Sequence, residues 1–183
     1  MQTYIAILRG INVSGNRTIK MDALRQMFSD MGFTEVKSYI QSGNIIFQSK
    51  SGNDTKLEQK ITEEILSRFG FDVPVIVLTR DELKIIIEQN PYLSDNTKEY
   101  SHLHFTFLAE KPLQPLVDKL NGDEILTDDF KTGERVVYLY CPNGYSKTKL
   151  SNSLIENRLK VVATTRNWKT CNELYTLATD ESK

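Results

Sequence analysis

An α+β chain made of two split βαβ domains in tandem, with antiparallel sheets and an extra C-terminal helix, is what this sequence predicts. Three observations predict it. Apolar patterns alternate strand, helix, strand, strand, helix, strand from Tyr4 to Leu78; a polar stretch, Pro91 to Tyr100, follows; and beyond it strand, helix, strand, strand, helix returns. This ferredoxin-like order implies a domain at 1–90, including a trailing helix, and a second, diverged one at 91–183.

The elements are justified in turn. Tyr4 to Leu8 is short, apolar and stopped by Arg9-Gly10, which suits a buried strand. Leu24, Met27, Phe28 and Met31 recur at helical spacing before Gly32, giving a helix from about Met21 to Met31. Val36, Ser38 and Ile40, then Ile45 and Phe47, alternate around Ser42-Gly43, which predicts a hairpin with a tight turn at that pair. Thr55 and Glu58 suggest a capping box for a helix bearing Leu57, Ile61, Ile65 and Phe69, ahead of a Val-rich strand at 72–78. Thr79 and Glu82 suggest another box, for a helix reaching Asn90-Pro91.

In the second half, Leu103 to Leu108 and Val136 to Tyr140 read as strands, with a weaker strand near 124–130. Helices are expected at 112–120 and from about Lys149 to Leu159. The final strand is expected at Val161 to Ala163, and Thr165 is expected to cap a last helix carrying Trp168, Leu174 and Leu177. The two halves share no obvious residue identity, so a duplication would be structural.

Composition narrows function little. The 183 residues are 39% hydrophobic and 26% charged with a net charge of −1, so no global field draws nucleic acid or anionic lipid. Charge does cluster: residues 131–169 carry a net +6 and residues 110–129 a net −4. Cys141 and Cys171 form neither a ligand motif nor a disulfide framework, which suits a reducing compartment. With no signal-like start and no apolar run of membrane length, a cytoplasmic location and no membrane partner are expected.

The distinctive polar residues lie at the chain's two ends. Gly10 and Gly15 have phosphate-loop spacing after a strand, but Asn16 and Arg17 stand where that motif needs Lys and Ser or Thr. What remains is a glycine-containing turn with Asn12 and Arg17, able to offer backbone donors and a guanidinium to an anion. Near the C-terminus, Thr165 as cap would place Arg166, Asn167 and Trp168 in a helix's first turn, where the dipole favours anions. Gln41, Ser42 and Asn44 bracket the hairpin turn. His102 and His104 on one strand face lack a third ligand at matching spacing, so neither a metal nor another cofactor is expected. No nucleophile with an attendant base is assignable.

Three strings, Ile5 to Val13, Tyr39 to Phe47 and Thr164 to Trp168, together resemble the bacterial family called domain of unknown function 1697. The resemblance implies a cytoplasmic protein of tandem ferredoxin-like build and brings no established activity or cofactor. Its motif positions fall on Arg9, Gly10, Asn12, Gln41, Ser42, Gly43, Asn44, Arg166, Asn167 and Trp168. With Arg17, these form the candidate ligand site. The first expectation for function is a binding protein for an anionic, nucleotide-like small molecule held between the two domains. One alternative is RNA or single-stranded DNA binding through the sheet and the basic 131–169 segment. The other is an acyl- or phosphoryl-transfer enzyme using arginine and amide groups.

Overall fold

The computed structural model describes residues 1–50, 52–124, 126 and 128–180. The first four strands are β1 (Gln2–Leu8), β2 (Thr34–Ser38), β3 (Asn44–Ser49) and β4 (Val75–Thr79). Helix α1 (Met21–Asp30) lies between β1 and β2, and α2 (Asp54–Phe69) between β3 and β4. The strands form one antiparallel sheet in the order β2-β3-β1-β4, so each strand-helix-strand crossover straddles one inserted strand. That is the split βαβ arrangement.

After α3 (Arg80–Glu88) the same order recurs. Strands β5 (Leu103–Leu108), β6 (Asp129–Thr132), β7 (Val136–Tyr140) and β8 (Ala163–Asn167), with helices α4 (Gln114–Asn121) and α5 (Asn152–Leu159), give the sheet β6-β7-β5-β8. Helix α6 (Trp168–Thr179) follows β8 directly. The chain divides into two compact units. One comprises Met1–Ile85 with the C-terminal residues from Glu173, the other Ile86–Asn172.

Strand alternation explains the first core. Tyr4, Ala6, Leu8, Ile45, Phe47, Val75 and Val77 project to one sheet face and bury against Leu24, Met27 and Phe28 of α1 and Leu57, Ile61 and Ile65 of α2. Phe28, Phe33 and Phe47 meet at 4.6–5.8 Å between ring centroids, and burying each such side chain contributes about 2 kcal/mol. In the second unit Leu108, Val137, Leu139 and Ala163 pack with Val117, Leu120, Ile155 and Leu159. The alternate residues of the central strands, Ile5, Ile7, Phe105 and Phe107, are also fully buried, which is why Tyr4 to Leu8 reads as an unbroken apolar run.

Local chemistry sets several boundaries away from the expected ones. The hairpin is not a two-residue turn at Ser42-Gly43. Ser38 pairs with Ile45, so 39–43 form the loop and Ile40, 51% exposed with φ +51°, leaves the strand. Strand β2 is an edge with a register shift between Thr34 and Lys37, so its alternation is imperfect. Asn53, not Thr55, caps α2 by accepting from Lys56 N–H at 2.8 Å, and Glu58 accepts instead from Val77 N–H at 2.8 Å. The Thr79–Glu82 box forms as expected, with Thr79 N–H donating to Glu82 Oε2 at 2.8 Å and Glu82 N–H to Thr79 Oγ1 at 3.1 Å.

The strand expected near 124–130 lies at Asp129–Thr132; Ile125 and Thr127 fall outside the described residues. Strand β8 begins at Ala163 and runs through Asn167, because its register on β5 extends from Ala163 opposite Leu108 to Asn167 opposite His104. His102 sits in a 3-10 turn before β5 rather than on the strand with His104.

Candidate functional site

In the first unit, two loops converge at the end of β1. Leu8 N–H donates to Gly43 O at 2.8 Å and Arg9 N–H to Pro74 O at 2.9 Å, which anchors the strand exit. Gly10, Asn12, Ser14, Gly15 and Arg17 then all adopt positive φ, between 47° and 76°. Asn12 N–H donates to Arg17 O at 3.2 Å and Asn16 N–H to Val13 O at 3.0 Å, folding residues 12–17 into a small reverse turn.

The Asn12 side chain fixes that turn. Its Nδ2 donates to Ile19 O at 3.0 Å and to Gln41 O at 2.8 Å, while its Oδ1 accepts from Ile19 N–H at 2.8 Å. Asn44 does the equivalent for the hairpin loop, with Nδ2 donating to Tyr39 O at 3.0 Å and Ser42 Oγ at 2.9 Å. Gly43, at φ +80°, lies so close to Ile11 and Leu8 that a Cβ there would meet both at 2.8 Å. Asn12, Gly43 and Asn44 therefore build the two loops. The exposed part is left to Gly10, Arg17 and Gln41, with Arg9 and Ser42 half-buried. Arg17 Nη1 stands 3.7 Å from where a Gly10 Cβ would be, so its guanidinium lies along the Gly10 backbone.

Arg166, Asn167 and Trp168 belong to the second unit, in a geometry unlike the expected one. Arg166 is on β8, not in a helix's first turn, because pairing with Phe105 holds it in the sheet. Its Nη1 donates to Thr164 Oγ1 at 3.2 Å and Thr165 O at 2.9 Å. Burial pushes its guanidinium down to about 10, against the pull of Cys171 and Tyr145. The cap of α6 is Asn167, whose Oδ1 accepts from Thr170 N–H at 2.8 Å. Trp168 opens α6 and packs on Phe105 at 5.9 Å and Tyr100 at 5.0 Å. Thr165 is engaged elsewhere: its hydroxyl lies 2.8 Å from Thr106 Oγ1 and donates to Asn152 Oδ1 at 2.6 Å.

Further polar groups gather in this unit. Tyr145 donates to Thr165 Oγ1 at 3.1 Å, and His104 stacks on its ring at 5.3 Å. His104 Nδ1 lies 3.1 Å from His102 O, and burial pushes its imidazole below the usual histidine range. A cleft of about 350 Å³ is lined by Lys98, Asp128, Asp129, Tyr140, Cys141 and Lys147 among others. There Tyr92 donates to Asp129 at 2.6 Å, and the Lys98 ammonium, bonded to the same carboxylate, sits 4.1 Å from the Tyr140 ring centroid. Burial works against the Asp129 carboxylate, yet Lys98 and Tyr92 hold it below the usual range. Cys141 is buried and its thiol is pushed up to about 11, so it is no thiolate at neutral pH. Long-range pairs of this kind leave no local pattern.

The protein-family model for the protein of unknown function DUF1697 matches residues 1–138. The chain belongs to this family. The match takes in the Arg9–Asn12 and Gln41–Asn44 motifs and stops short of Arg166. Among solved structures, a conserved bacterial protein of Streptococcus pneumoniae is similar to this DUF1697 protein, at 25% identity over 97% of this chain and 99% of its own, with a TM-score of 0.75. No curated protein matches. No helix is long and apolar enough to cross a membrane among the described residues.

Proposed function

We propose that this DUF1697 protein binds an anionic, nucleotide-like small molecule and that the Gly10–Arg17 turn holds its charged end. One observation carries the reading. The turn is fixed from below by Asn12, while at its exposed tip the backbone N–H groups of Ser14, Gly15 and Arg17 donate to no protein oxygen among the described residues, beside the Arg17 guanidinium. Unspent backbone donors next to a cation favour a phosphate or carboxylate.

The alternatives have less behind them. Tyr4 and Phe47, the stacking aromatics a nucleic-acid sheet face would use, are fully buried in the first core, and Arg135, Arg158 and Arg166 of the basic segment are engaged with Leu108 and Ala109 carbonyls, Asp123 and Thr164. An acyl- or phosphoryl-transfer reaction lacks an activated nucleophile in this reading.

The test is equilibrium binding of a nucleotide panel to the wild type and to Arg9→Ala, Arg17→Ala and Arg166→Ala. Loss of one charged hydrogen-bonding partner at Arg17 should weaken binding roughly tenfold or more. Unchanged affinity in all three variants, or no binding at all, removes the proposal. A salt-dependent shift of a labelled oligonucleotide with no nucleotide binding would favour the nucleic-acid alternative instead.

A further inference from the structure

On the first unit, away from the Gly10–Arg17 turn, a cleft of about 450 Å³ opens where β3 ends and α2 begins. Three lysines line it: Lys50 just past β3, and Lys56 and Lys60 on α2. Lys56 and Lys60 are four residues apart and so share one helix face, an arrangement in which like charges repel. Among the described residues, no carboxylate lines the cleft. Among the described residues, neither Lys50 nor Lys56 has an acidic partner, in contrast to Arg68 further along α2, which bridges Asp30 at 2.6 Å. Lys60 is placed by the wall itself, its Nζ donating to Met31 O at 3.3 Å and lying 5.3 Å from the Phe33 ring centroid.

We propose that this cleft is a second anion site, built for a compact, multiply charged anion of the diphosphate type. Three ammonium groups around a concavity add their fields, and ammonium is a point charge suited to phosphate oxygens rather than to planar, bidentate recognition. Gln48 and Ser49 are also in the lining. The face of Phe33 is already taken by Lys60 and the ring is 7% exposed, so the site has no platform for a nucleobase. The charged groups are what it recognises. Inorganic pyrophosphate and the diphosphate end of a larger molecule share this chemistry.

The experiment is a titration of the full chain with pyrophosphate, with ADP and with orthophosphate, at matched ionic strength, followed by amide NMR shifts and calorimetry. Pyrophosphate is expected to bind with a Kd of about 1 mM or tighter, orthophosphate at least about tenfold more weakly, with saturable shifts at Gly32, Gln48, Ser49 and Lys56. Lys50→Gln and Lys56→Gln should each weaken it several-fold and the double variant abolish it, while Lys131→Gln, an exposed lysine of the other unit, leaves it unchanged. ADP shifting these same amides as strongly as pyrophosphate identifies a larger diphosphate ligand; ADP shifting them weakly identifies the free anion. Equal loss in Lys131→Gln, an unchanged affinity in the double variant, or shifts confined to Ser14–Arg17 would overturn the site. The last of these would leave the Gly10–Arg17 reading standing, so the two proposals fail separately.

Discussion

The two units share a strand order and differ in how they leave the first strand. In the first, twelve residues separate β1 from α1; in the second, five separate β5 from α4. The anchors are equivalent. Leu8 N–H donates to Gly43 O and Arg9 N–H to Pro74 O, while Leu108 N–H donates to Arg135 O at 3.0 Å and Ala109 N–H to Val162 O at 2.9 Å. Where the first unit has Arg9, the second has Ala109. Where it has Gly43, admitting Ile11, the second has Arg135, whose guanidinium satisfies Leu108 O and Ala109 O at 3.3 and 2.8 Å. One frame has been finished in two ways: with a polar, positive-φ insertion in one unit and a short, self-satisfied connection in the other. The difference between the copies, rather than the fold they share, is what marks the Gly10–Arg17 turn as a candidate site.

Variants at matched positions sharpen this comparison. The largest effect is expected from Gly43→Ala, which adds a left-handed backbone penalty to a clash with Leu8 and Ile11, for a loss of about 3 kcal/mol in denaturant unfolding. Gly133→Ala in the second hairpin meets Val136 at 2.8 Å without a positive φ and should cost about half as much. Equal losses would mean that the two loops are packed alike.

Next comes Asn12→Ala, which strands Ile19 and Gln41 backbone groups and should cost about 2 kcal/mol. Its NMR signature is loss of protection at the Ile19 amide, and a loss within about 0.5 kcal/mol would show that the turn holds without it. Smaller still are the paired caps. Thr79→Ala and Asn167→Ala each remove a side-chain acceptor at a strand-to-helix junction and should each cost about 1 kcal/mol. A marked inequality would break the equivalence of the two junctions.

The smallest effect is with pH. His104 has a folded-state value below that of the unfolded chain, so the unfolded chain takes up a proton first as pH falls. Stability owed to this residue is complete above about pH 6.5 and declines as pH drops through that value towards the lower, folded-state one. A stability profile across that range should flatten in His104→Gln. The first unit, having no histidine, should show no such slope of its own.

Much of the frame was legible in the sequence because it obeys local rules. Strands at Leu103–Leu108 and Val136–Tyr140 and the Thr79–Glu82 box all fall where apolar runs and capping chemistry place them. Strand β8 did not, since Thr165, Arg166 and Asn167 are neither apolar nor alternating, and both Thr165 and Asn167 are good caps. Pairing with β5 decides between them, and a pairing of residues 59 or more apart in sequence leaves no trace nearby. The same holds for Glu58, which looked like half of a box with Thr55 and is a partner for Val77. Of the candidate site, the residues were visible but their division of labour was not. Asn12, Gly43, Asn44 and Asn167 shape backbone, whereas Arg17 is left facing solvent.

The carboxylate of Glu58 on Val77 N–H has a counterpart in Glu156, which accepts from Ala163 N–H at 3.0 Å. Both strands, β4 and β8, are the outermost of their sheets. An unpaired margin invites another chain to add itself as a further strand. Here a helix residue occupies a donor that such an intruder would need, so an added strand would find one rung of its ladder already taken.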